Sequence, residues 1–228
     1  MAENARHYCI AIADRPTELG TKAALVEEFK WPLGTQISVQ FLGGDETLQD
    51  RVRAVAEEWV GPDMANVGLR FGGDGRGDVR IAFREGAGSW SYLGTVAQQI
   101  DVGQPTMNYG WLTPDSPDDE LRRVVLHEFG HALGLIHEHQ NPNHPIAWNR
   151  DAVIADLSGP PNNWDPQTIE NNIFARYDPA KLESTPVDRD SIMMYPIPAS
   201  WTTDGFSVGF NRELSSTDVD FIKKAYPW

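Results

Sequence analysis

Cysteine is almost absent from this chain. Cys9 is the single cysteine among 228 residues, so an intrachain disulfide is excluded, and so is a zinc site built from several thiolates. A metal site in this protein must therefore be built mainly from histidine and carboxylate side chains, which are the other common protein ligands of transition metals.

Basic residues and long apolar runs are also scarce. The chain has 19 Lys and Arg residues against 33 Asp and Glu residues, which gives a formal net charge of −14. This balance predicts neither a nucleic-acid partner nor a membrane partner. No run approaches the roughly 18 apolar residues of a membrane-spanning helix. The apolar run from Tyr8 to Ala13 is shorter than a secretory core of roughly 7–15 residues, so no signal peptide is evident.

Strand and helix patterns dominate the first half of the sequence and decline in the second. Alternating apolar residues at 36–42 predict a strand, and an apolar stripe over 45–60 predicts a helix packed on a sheet. A strong helix is predicted to begin with Ser116 as its cap and Pro117 in its first turn. This division suggests an α+β domain with its site at the junction. The other predictions are an extended segment at 9–12, a helix at 21–29, strands at 67–71, 78–83, 91–100 and 106–111, a loop at 141–166, and a last helix that begins with a capping box at 215–218.

Histidine is concentrated in one short stretch. On a helix, residues four apart share a face, so His127 and His131 can direct their ring nitrogens at one ion. Gly134 allows the chain to end the helix and turn sharply, and His137 can then return toward the ion. Zinc prefers four ligands, so three histidines leave one position for water. Five of the six histidines fall within 18 residues, at 127, 131, 137, 139 and 144.

Glu128 lies beside the first of these histidines and can reach a water on the metal rather than the metal itself. A carboxylate in that place can take a proton as the water attacks a carbonyl. The alternative is a solvated helix with incidental histidines, but the spacing of Gly134 and His137 argues against it. His139 and His144 do not fit the spacing and are predicted to lie in a loop.

The segment from His127 to His137 has the form HExxHxxGxxH, and Ser191-Ile192-Met193-Met194-Tyr195 follows downstream. Together they resemble the zinc motif and the methionine turn of the metzincin superfamily. The resemblance implies a zincin-type α+β catalytic domain with an N-terminal twisted sheet and helices, a loop-rich C-terminal half and a cleft between them. It also implies one Zn²⁺ ion per chain on the three histidines, an apolar floor at Met193, and a hydroxyl at Tyr195 that stabilises the oxyanion. The expected activity is that of a zinc-dependent endopeptidase acting on proteins or peptides.

Within this superfamily the chain resembles the astacin-like peptidases, and residues 30–228 resemble a cysteine-free microbial branch of them. Glu138, directly after the third histidine, and Gly88-Ser89-Trp90-Ser91-Tyr92 carry this likeness. Met194 departs from it, since astacins usually have histidine there. The family habit implies extracellular action, and the protein is expected to be a monomer.

The same resemblance divides the chain. Residues 1–29 are expected to be an N-terminal extension, either a short pro-segment or a packing arm. Residues 30–228 are expected to form the catalytic domain, with subdomains at 30–137 and 138–228.

Two other functions remain open. The first is a zincin aminopeptidase with a downstream glutamate as third ligand, against which Gly134 and His137 argue. The second is a non-catalytic zinc-binding module. Glu128 argues against it, because a structural zinc site needs no base and usually closes its fourth position with protein.

Cys9 has two interpretations. It is either a small buried hydrophobic residue in the N-terminal extension or a regulatory thiolate that occupies the fourth zinc position. In the second case, the full-length chain is latent until the extension leaves.

Overall fold

A six-stranded mixed sheet forms one side of the protein. The computed structural model describes residues 7–12, 29–73, 76–141, 145–176 and 187–228. The strand order is β1-β5-β6-β4-β2-β3, and within it the β5–β6 pair is antiparallel while the other pairs are parallel. The strands are β1 (Cys9–Ile12), β2 (Gln36–Phe41), β3 (Gly68–Phe71), β4 (Val79–Ala82), β5 (Ser89–Tyr92) and β6 (Met107–Asn108).

Two helices pack with this sheet and with each other. Helix α1 (Glu46–Ala56) begins at Asp45, whose side chain accepts a hydrogen bond from the Thr47 amide. Its buried stripe includes Leu48, Val52 and Val55, as the spacing predicts. A 3₁₀ turn follows, and its Trp59 indole nitrogen donates to the carbonyl of Leu126 in the second helix at 2.9 Å.

Helix α2 (Asp118–Ala132) is the element that carries most of the site. Its cap residue is Pro117, which makes no side-chain cap bond; Ser116 instead accepts from the Thr113 amide, so the predicted Ser116 cap is wrong. Three acidic residues in the first turn complement the positive helix end. From Arg123 to Ala132 every residue is buried, which places the HExxH segment in the interior.

The second half of the chain is more helical than its composition predicts. Helix α3 (Arg150–Ser158) lies within the predicted loop at 141–166, which is therefore wrong over this range. Asn149 caps it by accepting from the Ala152 amide, and Val153 and Leu157, four apart, are buried. Helix α4 (Pro166–Ile169) continues into a π-helical turn, Glu170–Phe174. Helix α5 (Ser216–Ala225) begins with the predicted capping box.

Two predicted strands are too long. Strand β5 ends at Tyr92, and the 3₁₀ turn Gly94–Gln99 occupies most of the predicted strand at 91–100. A Cβ at Gly94 would collide with the carbonyl of Phe29, and Gly94 has φ +45°, so the chain turns here instead of extending. Strand β6 has only two residues. Residues 21–28 of the predicted helix at 21–29 lie outside the described residues.

The predicted α+β class is confirmed. A larger core joins the sheet to α1 and α2, and an aromatic core joins residues of the C-terminal half to Tyr8. Among the described residues, no helix is long and apolar enough to cross a bilayer.

Candidate active site

The three predicted histidine ligands meet at one point in the interior. The ring nitrogens that His127, His131 and His137 can offer to an ion lie within 4.8 Å of one another, and the Nε2 atoms of His131 and His137 are 3.1 Å apart. All three side chains are buried. In the part of the chain that the structure describes, they form the one group of His, Cys, Asp or Glu residues that could hold a metal ion.

Each of these rings is held by an oxygen on its far side. Nδ1 of His127 lies 2.8 Å from the Ile192 carbonyl, and Nδ1 of His131 lies 2.7 Å from the Leu135 carbonyl. Nδ1 of His137 lies 3.3 Å from the side-chain oxygen of Gln140. Because these oxygens only accept, each Nδ1 carries the proton and each Nε2 presents a lone pair. The three lone pairs therefore face a common centre.

The protonation of the triad suits a metal. Burial lowers the pKa of His127 and His137 well below the usual range, and it lowers that of His131 to about 4. The rings are therefore neutral near pH 7, as imidazole ligands must be. The Nε2 atom of His127 has no hydrogen-bond partner within the described structure. Three neutral, oriented, buried nitrogens fit one zinc ion.

A helix-ending motif brings the third histidine back to the first two. Gly134 has φ +93°, a conformation that favours glycine. Its amide donates to the His131 carbonyl at 2.8 Å, and the Leu135 amide donates to the Gly130 carbonyl at 2.9 Å. This bond pair is a Schellman motif. It reverses the chain within three residues of His137.

Met193 packs against α2 at Gly130, which lies between the ligands His127 and His131 on that helix. The side chain is buried, and a Cβ at Gly130 would collide with its sulfur. Glycine at 130 is therefore what allows the methionine to approach the helix so closely. The Met193 carbonyl also accepts from the amide of Glu138 at 3.0 Å, which ties this turn to the segment after the third histidine.

Glu128 is fully buried beside the triad. Neither carboxylate oxygen has a hydrogen-bond partner in the described structure. Burial raises the pKa of Glu128 to about 8, against the lowering effects of the adjacent Cys9 thiol and of the Arg123 charge. An uncommitted carboxylate with a raised pKa is suited to taking and returning a proton.

Tyr195 completes the wall of the site. Its ring centroid lies 4.2 Å from that of His137 and 5.8 Å from that of His127. Its hydroxyl donates to the backbone carbonyl of Cys9. The tyrosine therefore lies beside the histidines, with its hydroxyl committed to the N-terminal segment.

That segment, residues 7–12, enters the site as strand β1 and pairs in parallel with β5. On its other side, Asn162 accepts from the Tyr8 amide at 3.1 Å, and Asn172 accepts from the Ala11 amide at 3.3 Å. Cys9 is buried with its thiol beside Glu128, but it is not a member of the histidine group. The structure thus brings together every site residue predicted from the sequence.

Comparison with known proteins identifies the family. The family model named Astacin, which describes a peptidase family, matches residues 28–227. The chain belongs to the astacin family. This membership confirms the predicted zincin-type catalytic domain of a zinc-dependent endopeptidase, and together with the histidine triad it confirms one zinc ion as the cofactor. Protein or peptide substrates follow from the peptidase family.

Two solved structures of myroilysin are similar to this astacin-family chain. One is 43% identical with a TM-score of 0.85, and the match covers 90% of this chain and 98% of that one. The other is 38% identical with a TM-score of 0.73, covering 99% and 93%. The high choriolytic enzyme 1, a hatching enzyme zinc-protease from Oryzias latipes (Medaka fish), shares the fold at 16% identity, with a TM-score of 0.59 and coverage of 91% and 98%.

Among curated proteins, Blastula protease 10 of Paracentrotus lividus is 30% identical over 120 residues. This match covers 50% of the chain but only 16% of that relative's length.

Two residues that contact this astacin-family site carry no clear sequence signal. Gln140 orients His137. His139, predicted as a loop histidine, is instead buried, stacks on Tyr195 with ring centroids 4.6 Å apart, and bonds the Asn172 carbonyl at 2.8 Å. His144, the other predicted loop histidine, lies outside the described residues.

Proposed function

We propose that this chain hydrolyses internal peptide bonds of extended protein segments at the histidine triad. The observation that carries this proposal is the convergence of three neutral, oriented Nε2 atoms beside the uncommitted carboxylate of Glu128. Zinc, when bound there, supplies Lewis acidity and lowers the pKa of water to about 7. We further propose that the protein acts as an extracellular monomer without a nucleic-acid or membrane partner.

Each site residue then has a role of its own. Glu128 takes the proton of the attacking water and gives it to the leaving amine. Met193 supports the triad from α2, and Gly134 holds the turn that returns His137. Tyr195 donates its hydroxyl to the developing oxyanion once that hydroxyl is released from Cys9.

The N-terminal extension is proposed to keep the full-length chain latent. Strand β1 is the edge strand of the sheet and covers β5, where an extended substrate could pair once β1 has left, and its Cys9 carbonyl accepts a hydrogen bond from the hydroxyl of Tyr195. The Cys9 thiol also lies beside Glu128. One short segment therefore binds Tyr195 and places a thiol beside Glu128. In this proposal residues 1–29 are the regulatory extension and residues 30–228 the catalytic domain.

Cys9→Ala in the full-length chain is expected to raise the cleavage of an unstructured protein such as casein by about tenfold. Losing a contact worth about 1.4 kcal/mol shifts the equilibrium between the docked and the released N-terminal segment by that factor, toward release. The assay compares the parent, Cys9→Ala and Ile12→Val, a conservative change at the other end of β1, each with and without a zinc chelator. Ile12→Val is expected to match the parent, and the chelator to stop all cleavage.

Equal rates for the parent and Cys9→Ala would reject latency through this residue. Cleavage that persists in excess chelator would reject the metallopeptidase proposal itself.

Tyr195→Phe is expected to lower kcat by about tenfold to a thousandfold, since a single lost oxyanion donor can cost up to about 10³. We would measure kcat in the Cys9→Ala chain. The Tyr195 hydroxyl also bonds the Cys9 carbonyl in β1, so in the parent its loss would weaken the docking of β1 as well as catalysis. Zinc content is expected to stay at one ion per chain. An unchanged kcat would reduce Tyr195 to a packing residue.

A further inference from the structure

Tyr109 has a buried hydroxyl without a hydrogen bond. Its side chain is 1% exposed, and within the described structure the hydroxyl oxygen has no partner. Buried hydroxyls are normally paired, because leaving one unpaired loses the hydrogen bonds that water provides in the unfolded chain. A buried hydroxyl that stays unpaired therefore calls for a reason.

Packing does not supply that reason. The Tyr109 ring contacts the Phe83 ring, with centroids 5.9 Å apart, within the main apolar core. Phenylalanine would present the same ring to these neighbours without the unpaired oxygen. The backbone of Tyr109 is held independently, since its amide donates to the Ala82 carbonyl at 3.0 Å.

The charged groups that act on the Tyr109 hydroxyl belong to the proposed catalytic site. Burial raises the pKa of Tyr109 well above its usual range, and negative charge on Glu128 and then on Cys9 raises it further. Cys9 and Tyr109 belong to the same core cluster. The sheet register supplies the geometry: Cys9 pairs with Ser89 of β5, and the next residue, Trp90, pairs with Asn108 of β6, which places Cys9 and Tyr109 at the same level of the sheet on either side of Ser89.

We propose that Tyr109 is a positioning residue whose hydroxyl becomes the hydrogen-bond donor of the Glu128 carboxylate once the Cys9 thiol has withdrawn. This inference rests on the proposed function. Glu128 has two oxygens without partners, and an ionised carboxylate is a strong acceptor. The bond forms directly or through one water in the place of the sulfur. It fixes the orientation of the carboxylate toward the substrate side.

Arg123 does not fill this role. It is the cation that acts on Glu128 electrostatically, but its Nε and Nη2 atoms both donate to the Glu120 carboxylate, at 2.9 and 2.6 Å. Tyr109, by contrast, has a donor that is committed to no other group.

Tyr109→Phe is expected to separate catalysis from stability. In the full-length Cys9→Ala chain, kcat should fall by about tenfold to a hundredfold, the effect of losing one bond to a charged group, with KM and zinc content unchanged. The thermal midpoint Tm should stay constant or rise by about 2–4 °C, because an unpaired hydroxyl is removed.

Tyr226→Phe is the matched control, since its hydroxyl is also buried but donates to the Leu133 carbonyl at 2.7 Å. This variant should lower Tm and leave kcat unchanged.

Each other outcome overturns the inference. A raised Tm with unchanged kcat would mean that the hydroxyl has no function. A fall in both Tm and kcat would mean that Tyr109 supports the structure only. If the Cys9→Ala chain cleaves casein and adding Tyr109→Phe to it leaves the rate unchanged, the inference fails while the proposed function stands. If no form of the chain cleaves peptide bonds, both fail.

Discussion

Glu128→Gln is expected to abolish nearly all peptide hydrolysis while the chain still binds one zinc ion. Glutamine has nearly the same shape as glutamate, but its amide cannot take the proton of the attacking water. General bases contribute about 10²–10⁴ to the rate, so a loss of this size is expected in kcat. Zinc should remain, because the metal-binding group contains the three histidines and not Glu128.

The measurement is the hydrolysis of casein together with zinc analysis of the same sample. Glu46→Gln is the control, since it makes the same chemical change at an exposed residue in the first turn of α1. Cleavage by Glu128→Gln at the parent rate would reject the role of Glu128 as general base. Loss of zinc from this variant would mean that Glu128 binds the metal or keeps its histidine ligands in place.

The ligand set could be predicted from the sequence because the motif is local. The four-residue spacing of His127 and His131 needs only the period of one helix. The return of His137 needs only a helix end at Gly134, and the observed φ of +93° has that effect. Short-range geometry of this kind depends little on the rest of the fold.

The groups that orient the ligands could not be predicted in the same way. The carbonyl that holds His127 belongs to Ile192, 65 residues further along the chain. The pairing of Cys9 with Ser89 is also a long-range contact, and nothing in the sequence near Cys9 indicates it. Tyr109 gives no signal at all, since a tyrosine within a predicted strand is an ordinary core residue.

Errors in the secondary-structure prediction have similar causes. Helix α3 was predicted as loop because proline, asparagine and tryptophan residues surround it. Two local features nevertheless favour the helix: Asn149 caps it, and Val153 and Leu157 share its buried face. The strand predicted at 91–100 ends early because of a contact between Gly94 and the Phe29 backbone. That contact depends on tertiary structure, which outweighs the local preference for strand.

His131→Ala is expected to remove both the zinc and the activity. The Nε2 atoms of His131 and His137 are 3.1 Å apart, and both are held as lone-pair donors by partners at Nδ1. Two neutral nitrogen lone pairs at this distance repel each other unless a cation lies between them. Alanine removes one ligand from the buried triad, so the remaining two cannot form the three-histidine site that catalytic zinc requires.

Thermal unfolding gives a readout of this change that does not depend on activity. A ligand that binds only the folded state stabilises it by about 2.7 kcal/mol at a hundred times its Kd, so added zinc should raise the Tm of the metal-free parent and not that of His131→Ala. His139→Ala is the matched control, because His139 is buried nearby but lies outside the ligand group. This control should still bind one zinc ion and respond to it. A His131→Ala chain that binds stoichiometric zinc at this site would show that the ligand assignment is wrong.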